Sequence, residues 1–360
     1  MNADRNAAMD PGRAVGRFAN GAANGPASRS ANRPDSGAGD RDAACGDCGS
    51  WAVAADGYCE ACGLRQPSGH EHVEAELVVD GRPALGAGIS DLGLRRSRNE
   101  DAFALAALPH GACGVVCDGV ATAPGSEEAA RAAAQTAAAV LLDRIAAGAD
   151  AGAATRAAAE QAGRAVAALA DGGRDGSGPA CTFVSAVVAA DRVTVGWLGD
   201  SRAYWLSAAG SFPLTRDDSW AVRAVARGEL SAEAASADRR AHMLTAWMGA
   251  AAGAFDPHLA SFEPSGPGLV MICSDGLWNG VPDAAALASL ALAGPGTAGP
   301  GTAGPGTGGP GTGGPEAAGG PMGAARRLLG AALDAGGHDN VTVVVIEFPP
   351  PEPTTREPGR

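Results

Sequence analysis

Val115-Val-Cys-Asp118-Gly119 closes one apolar run, and Val270-Met-Ile-Cys-Ser-Asp275-Gly276 closes another built the same way. Each reads as a buried strand that delivers a carboxylate at an Asp-Gly corner. Working outward, apolar runs at 102–108, 113–117, 181–189, 192–198, 203–206, 269–273 and 341–348 read as strands. Ala-rich segments at 126–147, 153–170, 282–292 and 322–335 read as helices, with Gly172 and Gly173 stopping the second. Ser126 followed by Glu128 marks the start of the first helix, where acids face the positive end of the dipole. Strands, two helices, strands and two helices predict sheets covered by helical layers.

The chain has 360 residues, and its 54 glycines and 24 prolines gather in low-complexity stretches, so the folded part is shorter than the whole. Residues 1–42 lack periodicity and are expected to be disordered. A Cys-rich unit follows at 43–65, then a polar linker at 66–76, a patterned domain at 77–348 and an extended Pro-rich tail at 349–360. Inside that domain a Gly-Pro-Gly-Thr-Ala/Gly pentad repeat occupies residues 294–315. It has nothing to bury and predicts a flexible insertion.

The formal net charge is −13, from 27 basic and 40 acidic residues. Such a field repels nucleic acid and anionic membranes, and neither is expected as a partner. No apolar run is long enough to span a bilayer, and the N-terminus lacks the apolar core of a signal peptide. A cytoplasmic monomer is expected. Thiols stay reduced there, so the eight cysteines need a role other than disulfides.

Four of them form two Cys-x-x-Cys knuckles, Cys45-Gly-Asp-Cys48 and Cys59-Glu-Ala-Cys62, each followed by glycine. Four thiolates suit one tetrahedral structural Zn²⁺, and the unit looks like a minimal zinc ribbon. A thioredoxin-type redox pair and a stray disulfide compete with that reading; a redox pair normally stands alone, and the motif here is doubled. Cys113, Cys117, Cys181 and Cys273 lie on apolar runs and read as small buried hydrophobes.

Acidic motifs stand at the edges of the expected strands. They are Arg96-Ser-Arg-Asn-Glu100-Asp101, Asp118-Gly119, Gly199-Asp200-Ser201-Arg202, Ser274-Asp275-Gly276 and His338-Asp339-Asn340. Singly, each has a bland explanation as a turn, a cap or a solvated acid. Together, converging carboxylates repel unless something positive sits among them. Hard divalent cations with oxygen ligands, Mg²⁺ or Mn²⁺, meet that need. Two such ions can share a water, lower its pKa and aim it at phosphorus, while Arg96 holds phosphate oxygens in a planar fork.

In this order the motifs resemble the PPM family of metal-dependent serine/threonine phosphatases, also called protein phosphatase 2C. The resemblance runs from about Leu77 to Phe348, and Leu214-Thr-Arg-Asp-Asp-Ser219 and Leu244-Thr-Ala-Trp-Met-Gly249 look like the borders of that family's mobile flap. It implies an α+β fold, a four-layer α/β/β/α sandwich of two mostly antiparallel sheets flanked by helices, with metals in a cleft between sheet ends. By position, Asp118, Asp275 and Asp339 hold one Mn²⁺ or Mg²⁺. Glu100, Asp118 and the Gly119 carbonyl hold a second, with Asp101 supporting bound water. Asp200, with Asp275, matches a weaker third-metal site, and Arg96 matches the phosphate-binding arginine. The implied substrates are phosphoserine and phosphothreonine proteins of kinase pathways.

The chain departs from the family in several places. Val120-Ala-Thr122 follows Asp118-Gly119 where bacterial members usually carry Met-Gly-Gly, and animal members place a histidine, a proposed general acid, at the position of Val120. The flap's usual Asp-His-Ser is Asp217-Asp218-Ser219, and the Gly-Pro-Thr insertion is foreign to the family. Two readings compete with an active phosphatase: a weakly active phosphoprotein-binding relative, and a zinc-ribbon scaffold whose larger domain is an interaction surface.

Overall fold

The computed structural model describes residues 18–20, 61, 71–77, 85–170, 178–189, 191–253, 255–293 and 319–348. In chain order, β1 (Phe18–Asn20), β2 (His72–Leu77), β3 (Gly86–Asp91), β4 (Asp101–Leu108) and β5 (Gly111–Asp118) precede α1 (Ser126–Ala146) and α2 (Ala151–Ala168). A meander follows: β6 (Ala180–Cys181), β7 (Phe183–Ala189), β8 (Arg192–Leu198), β9 (Arg202–Leu206) and β10 (Phe212–Pro213). Short α3 (Trp220–Ala226), α4 (Ala232–Ser236) and β11 (Met248–Gly249) make up the flap region. The chain then forms β12 (His258–Phe262), β13 (Gly268–Cys273), α5 (Asp275–Trp278), α6 (Ala284–Ala291), α7 (Pro321–Asp334) and β14 (Val341–Phe348).

The strands make two six-stranded sheets, β1-β4-β5-β7-β8-β12 and β10-β9-β13-β14-β3-β2, plus the small pair β11-β6. Every pairing is antiparallel. Phe103, Val116 and Val184 of the first sheet meet Trp205, Ile272 and Val344 of the second in a shared core. On the outer face of the first sheet, α1 and α2 press a stripe of alanines against Cys113, Val115 and Phe183. On the outer face of the second, α6 and α7 cover Ile89, Met271 and Val343. The result is four layers, helix, sheet, sheet, helix. Side chains point alternately to the two faces of a strand, so the central strands, covered on both sides, must be apolar throughout. That is why the central strands stand out in the sequence.

Three expected boundaries change. Residues 72–76 fall in the expected linker, yet with Leu77 they form β2, which pairs with β3. Only Val73 and Leu77 of this edge strand are fully buried, so its glutamates and histidine give it a polar composition. Phe18–Asn20, inside the stretch expected to be disordered, lies along β4, whose outer edge offers unpaired backbone groups. The run at 181–189 is broken at Thr182, for a reason that belongs to the site. Cys45, Cys48, Cys59 and Cys62, the insertion at 294–315 and the tail at 349–360 lie outside the described residues. Cys113, Cys117, Cys181 and Cys273 are free and buried, and burial pushes the Cys113 thiol up to about 12, which leaves it inert.

Candidate active site

The antiparallel register brings the acids to one end of both sheets. Asp101 at the start of β4 lies directly opposite Asp118 at the end of β5. Cys273, last in β13, pairs with Arg202, first in β9, and with Val343 near the start of β14. The segments just beyond these strand ends therefore carry Asp200, Asp275 and Asp339. A cavity of about 530 Å³ opens there, and its walls include Arg96, Glu100, Asp118, Asp200, Asp275 and Asp339. The structure thus brings together every predicted metal-site acid except Asp101, which stands behind the wall.

Asp101, Glu100 and Asp118 each have a built support. Ser274 Oγ donates to Asp101 Oδ2 at 2.7 Å while accepting from Thr342 N at 3.0 Å. Ser126 does not cap α1, where Gly125 holds the N-cap position; its hydroxyl donates to Glu100 Oε1 at 2.6 Å. Thr182 interrupts the strand so that its Oγ1 accepts from Asp118 N at 3.0 Å and meets Ser201 Oγ at 2.7 Å. Asn340 Oδ1 accepts from Glu100 N at 2.9 Å, and its Nδ2 donates to the Leu92 and Arg98 carbonyls at 2.9 Å each. That amide pins the loop carrying Arg96, whose guanidinium is paired with Asp339. Arg95 and Arg98 are exposed and do not line the cavity. The glycines of the Asp-Gly corners are there for space. A Cβ on Gly119 would stand 2.7 Å from the Glu100 carbonyl oxygen, and one on Gly276 would stand 2.0 Å from that of Asn340.

The electrostatics are those of crowded, buried anions. Burial, then Asp101, Asp275, Asp200 and Asp339, push Asp118 well above the usual carboxylate range. Burial first, then Asp275 and Asp217, push Asp200 up to about 8. Burial pushes Asp101 up to about 7 against the hydrogen bonds from Ser274 and Thr342. Burial and Asp339 push Asp275 up to about 6, with Arg96 opposing. One guanidinium cannot balance this set. The donors are hard oxygens, so the cluster fits Mg²⁺ or Mn²⁺ and not a soft metal. As the side chains stand, among the described residues no three His, Cys, Asp or Glu groups close on a single ion. The acids share the walls of an open cavity, not a collapsed cage.

The flap is clamped beside Asp200. Arg202 donates Nε and Nη2 to the two oxygens of Asp217 at 2.9 and 2.8 Å, and its guanidinium lies 3.6 Å above the Trp278 ring. Trp278 Nε1 donates to the Asp200 carbonyl at 3.0 Å. Asp218 accepts from Gly199 N at 3.0 Å and pairs with His258 at 2.9 Å. Sequence reasoning noted Arg202 and Asp217 only as parts of motifs and gave Thr182, Asn340 and Trp278 no role; an arginine two residues after Asp200 was the available signal.

A helix–sheet–sheet–helix sandwich with carboxylates gathered at one end of both sheets defines a class of acid-lined cleft. A family profile described as Protein phosphatase 2C matches residues 95–292, and the chain belongs to that family. The serine/threonine protein phosphatase PstP of Mycobacterium tuberculosis is 31% identical over 262 residues, 72% of this chain and 44% of PstP. The chain spans less than half the length of the curated relatives it matches. The crystal structure of M. tuberculosis PstP/Ppp is similar with a TM-score of 0.57 at 27% identity, covering 73% of this chain and 98% of that one. A structure of the PstP catalytic domain in complex with two manganese ions has a TM-score of 0.55 at 26% identity, covering 73% and 97% of the two chains.

Proposed function

We propose that this chain is a metal-dependent protein phosphatase that hydrolyses phosphoserine and phosphothreonine on proteins. The observation that carries the reading is the gathering of Asp118, Asp200, Asp275 and Asp339 with Arg96 around one cavity. Asp118, Asp275 and Asp339 would hold one Mn²⁺ or Mg²⁺. Glu100, Asp118 and the Gly119 carbonyl would hold a second, and Asp200 with Asp275 a weaker third. Bound cations neutralise the carboxylates, polarise a phosphoryl oxygen and acidify water. Asp101, out of the cavity, orients its neighbours from behind through Ser274. Arg96 gives up part of its pairing with Asp339 to hold two phosphate oxygens in its planar fork.

The test is Mn²⁺-dependent hydrolysis of p-nitrophenyl phosphate, abolished in Asp275→Ala. Wild type with Mn²⁺ no faster than that variant would leave only a phosphoprotein-binding or scaffold module. Kinase-pathway phosphoproteins as substrates, a cytoplasmic location and a monomeric state complete the reading; among the described residues no helix is long and apolar enough to cross a membrane. Cys45, Cys48, Cys59 and Cys62 are proposed to hold one structural Zn²⁺, on the strength of their doubled spacing. About one zinc per chain is expected, lost in Cys59→Ser. Undiminished zinc in that variant would refute the module.

A further inference from the structure

Hydrolysis of a seryl or threonyl phosphate expels an alkoxide, a far stronger base than water at neutral pH can tolerate, so a proton must reach the leaving oxygen. Few groups in the cavity can give one. The ionisable side chains on its walls are Arg96, Glu100, Asp118, Asp200, Asp275, Asp339 and His242. Arginine does not release its proton. Carboxylates that hold cations are deprotonated. The Thr182 hydroxyl is committed to Asp118 N and Ser201. Imidazole is the side chain that both holds and releases a proton near neutrality.

His242 reaches the cavity from the flap, by a short and well-tied segment. Trp220 N donates to the Met243 carbonyl at 2.8 Å, Met243 N to the Arg240 carbonyl at 2.9 Å, and Ser219 bridges to Leu244. The His242 ring is exposed and lies 6.0 Å from Trp278, tilted by 31°. Trp278 is itself fixed by Asp200 and Arg202. The backbone that carries His242 is therefore tied in place, and its imidazole lines the cavity that the acids share, on an element separate from the loop of Arg96. Charged groups on the same and neighbouring elements are Arg239 and the Asp238–Arg240 pair of the flap, Asp200 and Arg202 beyond Trp278, and Arg96 and the acids of the cavity.

Resting on the phosphatase reading, the geometry points to His242 as the general acid that protonates the leaving seryl or threonyl oxygen. The imidazolium N–H bond breaks as the O–H bond of the released side chain forms and the P–O bond cleaves. The neutral imidazole regains its proton from solvent. This supplies from the flap what Val120 cannot.

The test compares two leaving groups in wild type and His242→Gln with saturating Mg²⁺. A phosphothreonine peptide needs the acid, and p-nitrophenyl phosphate, whose leaving group is a weak base, scarcely does. The expected loss in kcat on the peptide is about 100-fold or more, and at least tenfold smaller on the aryl ester. Equal losses on both substrates, or none on either, would overturn the assignment. In the Mg²⁺-loaded wild type, the imidazole proton resonance missing from the His242→Gln spectrum should shift when inorganic phosphate is added; a resonance that stays put overturns it as well. Wild type inactive on both substrates would instead sink the phosphatase reading on which the inference stands.

Discussion

Asn340 illustrates how a residue with no chemistry of its own decides where the chemistry happens. It is 4% exposed, and its amide makes three hydrogen bonds, to Glu100 N and to the Leu92 and Arg98 carbonyls. Removing one partner strands the others away from water, at a cost of about 1–3 kcal/mol. Asn340→Ala should therefore lose about 2 kcal/mol in urea unfolding. Freed from its pin, the loop of Arg96 should also raise KM for p-nitrophenyl phosphate more than it lowers kcat. Unchanged stability would mean that the loop is held elsewhere. At this scale Asp118 and Asp275 are legible in the sequence because strand, Asp and Gly are contiguous there. Their supports were not. Ser274 serves Asp101, Ser126 serves Glu100 and Thr182 serves Asp118 across the fold, and a lone hydroxyl carries no mark of the acid it will meet.

Among the elements, the flap shows most clearly what fixes a segment without a core. Its helices α3 and α4 are 7 and 5 residues long and bury one alanine each, Ala224 and Ala235. Packing contributes little there, and polar clamps take over. Arg202 is 22% exposed and Asp217 9%, so their two-pronged pair is partly shielded and worth more than a surface bridge. Lysine would keep the charge but lose both the fork and the stacking on Trp278. Arg202→Lys should loosen the flap, so that trypsin cuts after Arg239 or Arg240 about tenfold faster, the equivalent of about 1.4 kcal/mol in local opening. Equal cleavage rates would show that Asp218, through Gly199 and His258, holds the flap alone. The same contrast explains which elements could be read in advance. Strands buried on both faces, such as β5, β13 and β14, are continuous apolar runs, and α1, α2, α6 and α7 were anticipated to within about two residues at either end. Edge strands β2 and β12 are half polar, β3 is Gly-rich, and the flap helices are too short to show a period.

For the molecule as a whole, the cavity is a store of repulsion that only cations or protons relieve. Folding raises Asp275 to about 6, Asp101 to about 7 and Asp200 to about 8, from an ordinary value of 3.8. Between those limits the native state binds more protons than the unfolded chain, so stability falls as pH rises. The contribution is complete below pH ~4, where folded and unfolded acids are all protonated, and it is lost progressively up to pH ~8. The net charge of −13 at pH 7 adds self-repulsion of the same sign. EDTA-treated protein should therefore melt on the order of 10 °C lower at pH 8 than at pH 5. Mg²⁺, a hard ion that thiolates do not hold, isolates the carboxylates from the cysteines. Because it competes with protons for the same oxygens, the melting temperature it restores should grow with pH and be small at pH 5. A metal-free melting temperature that stays flat from pH 5 to 8 would mean that the acids ionise without strain. In that case they would not be pressed together as the fold requires, and the need for a doubly charged partner would vanish with the repulsion.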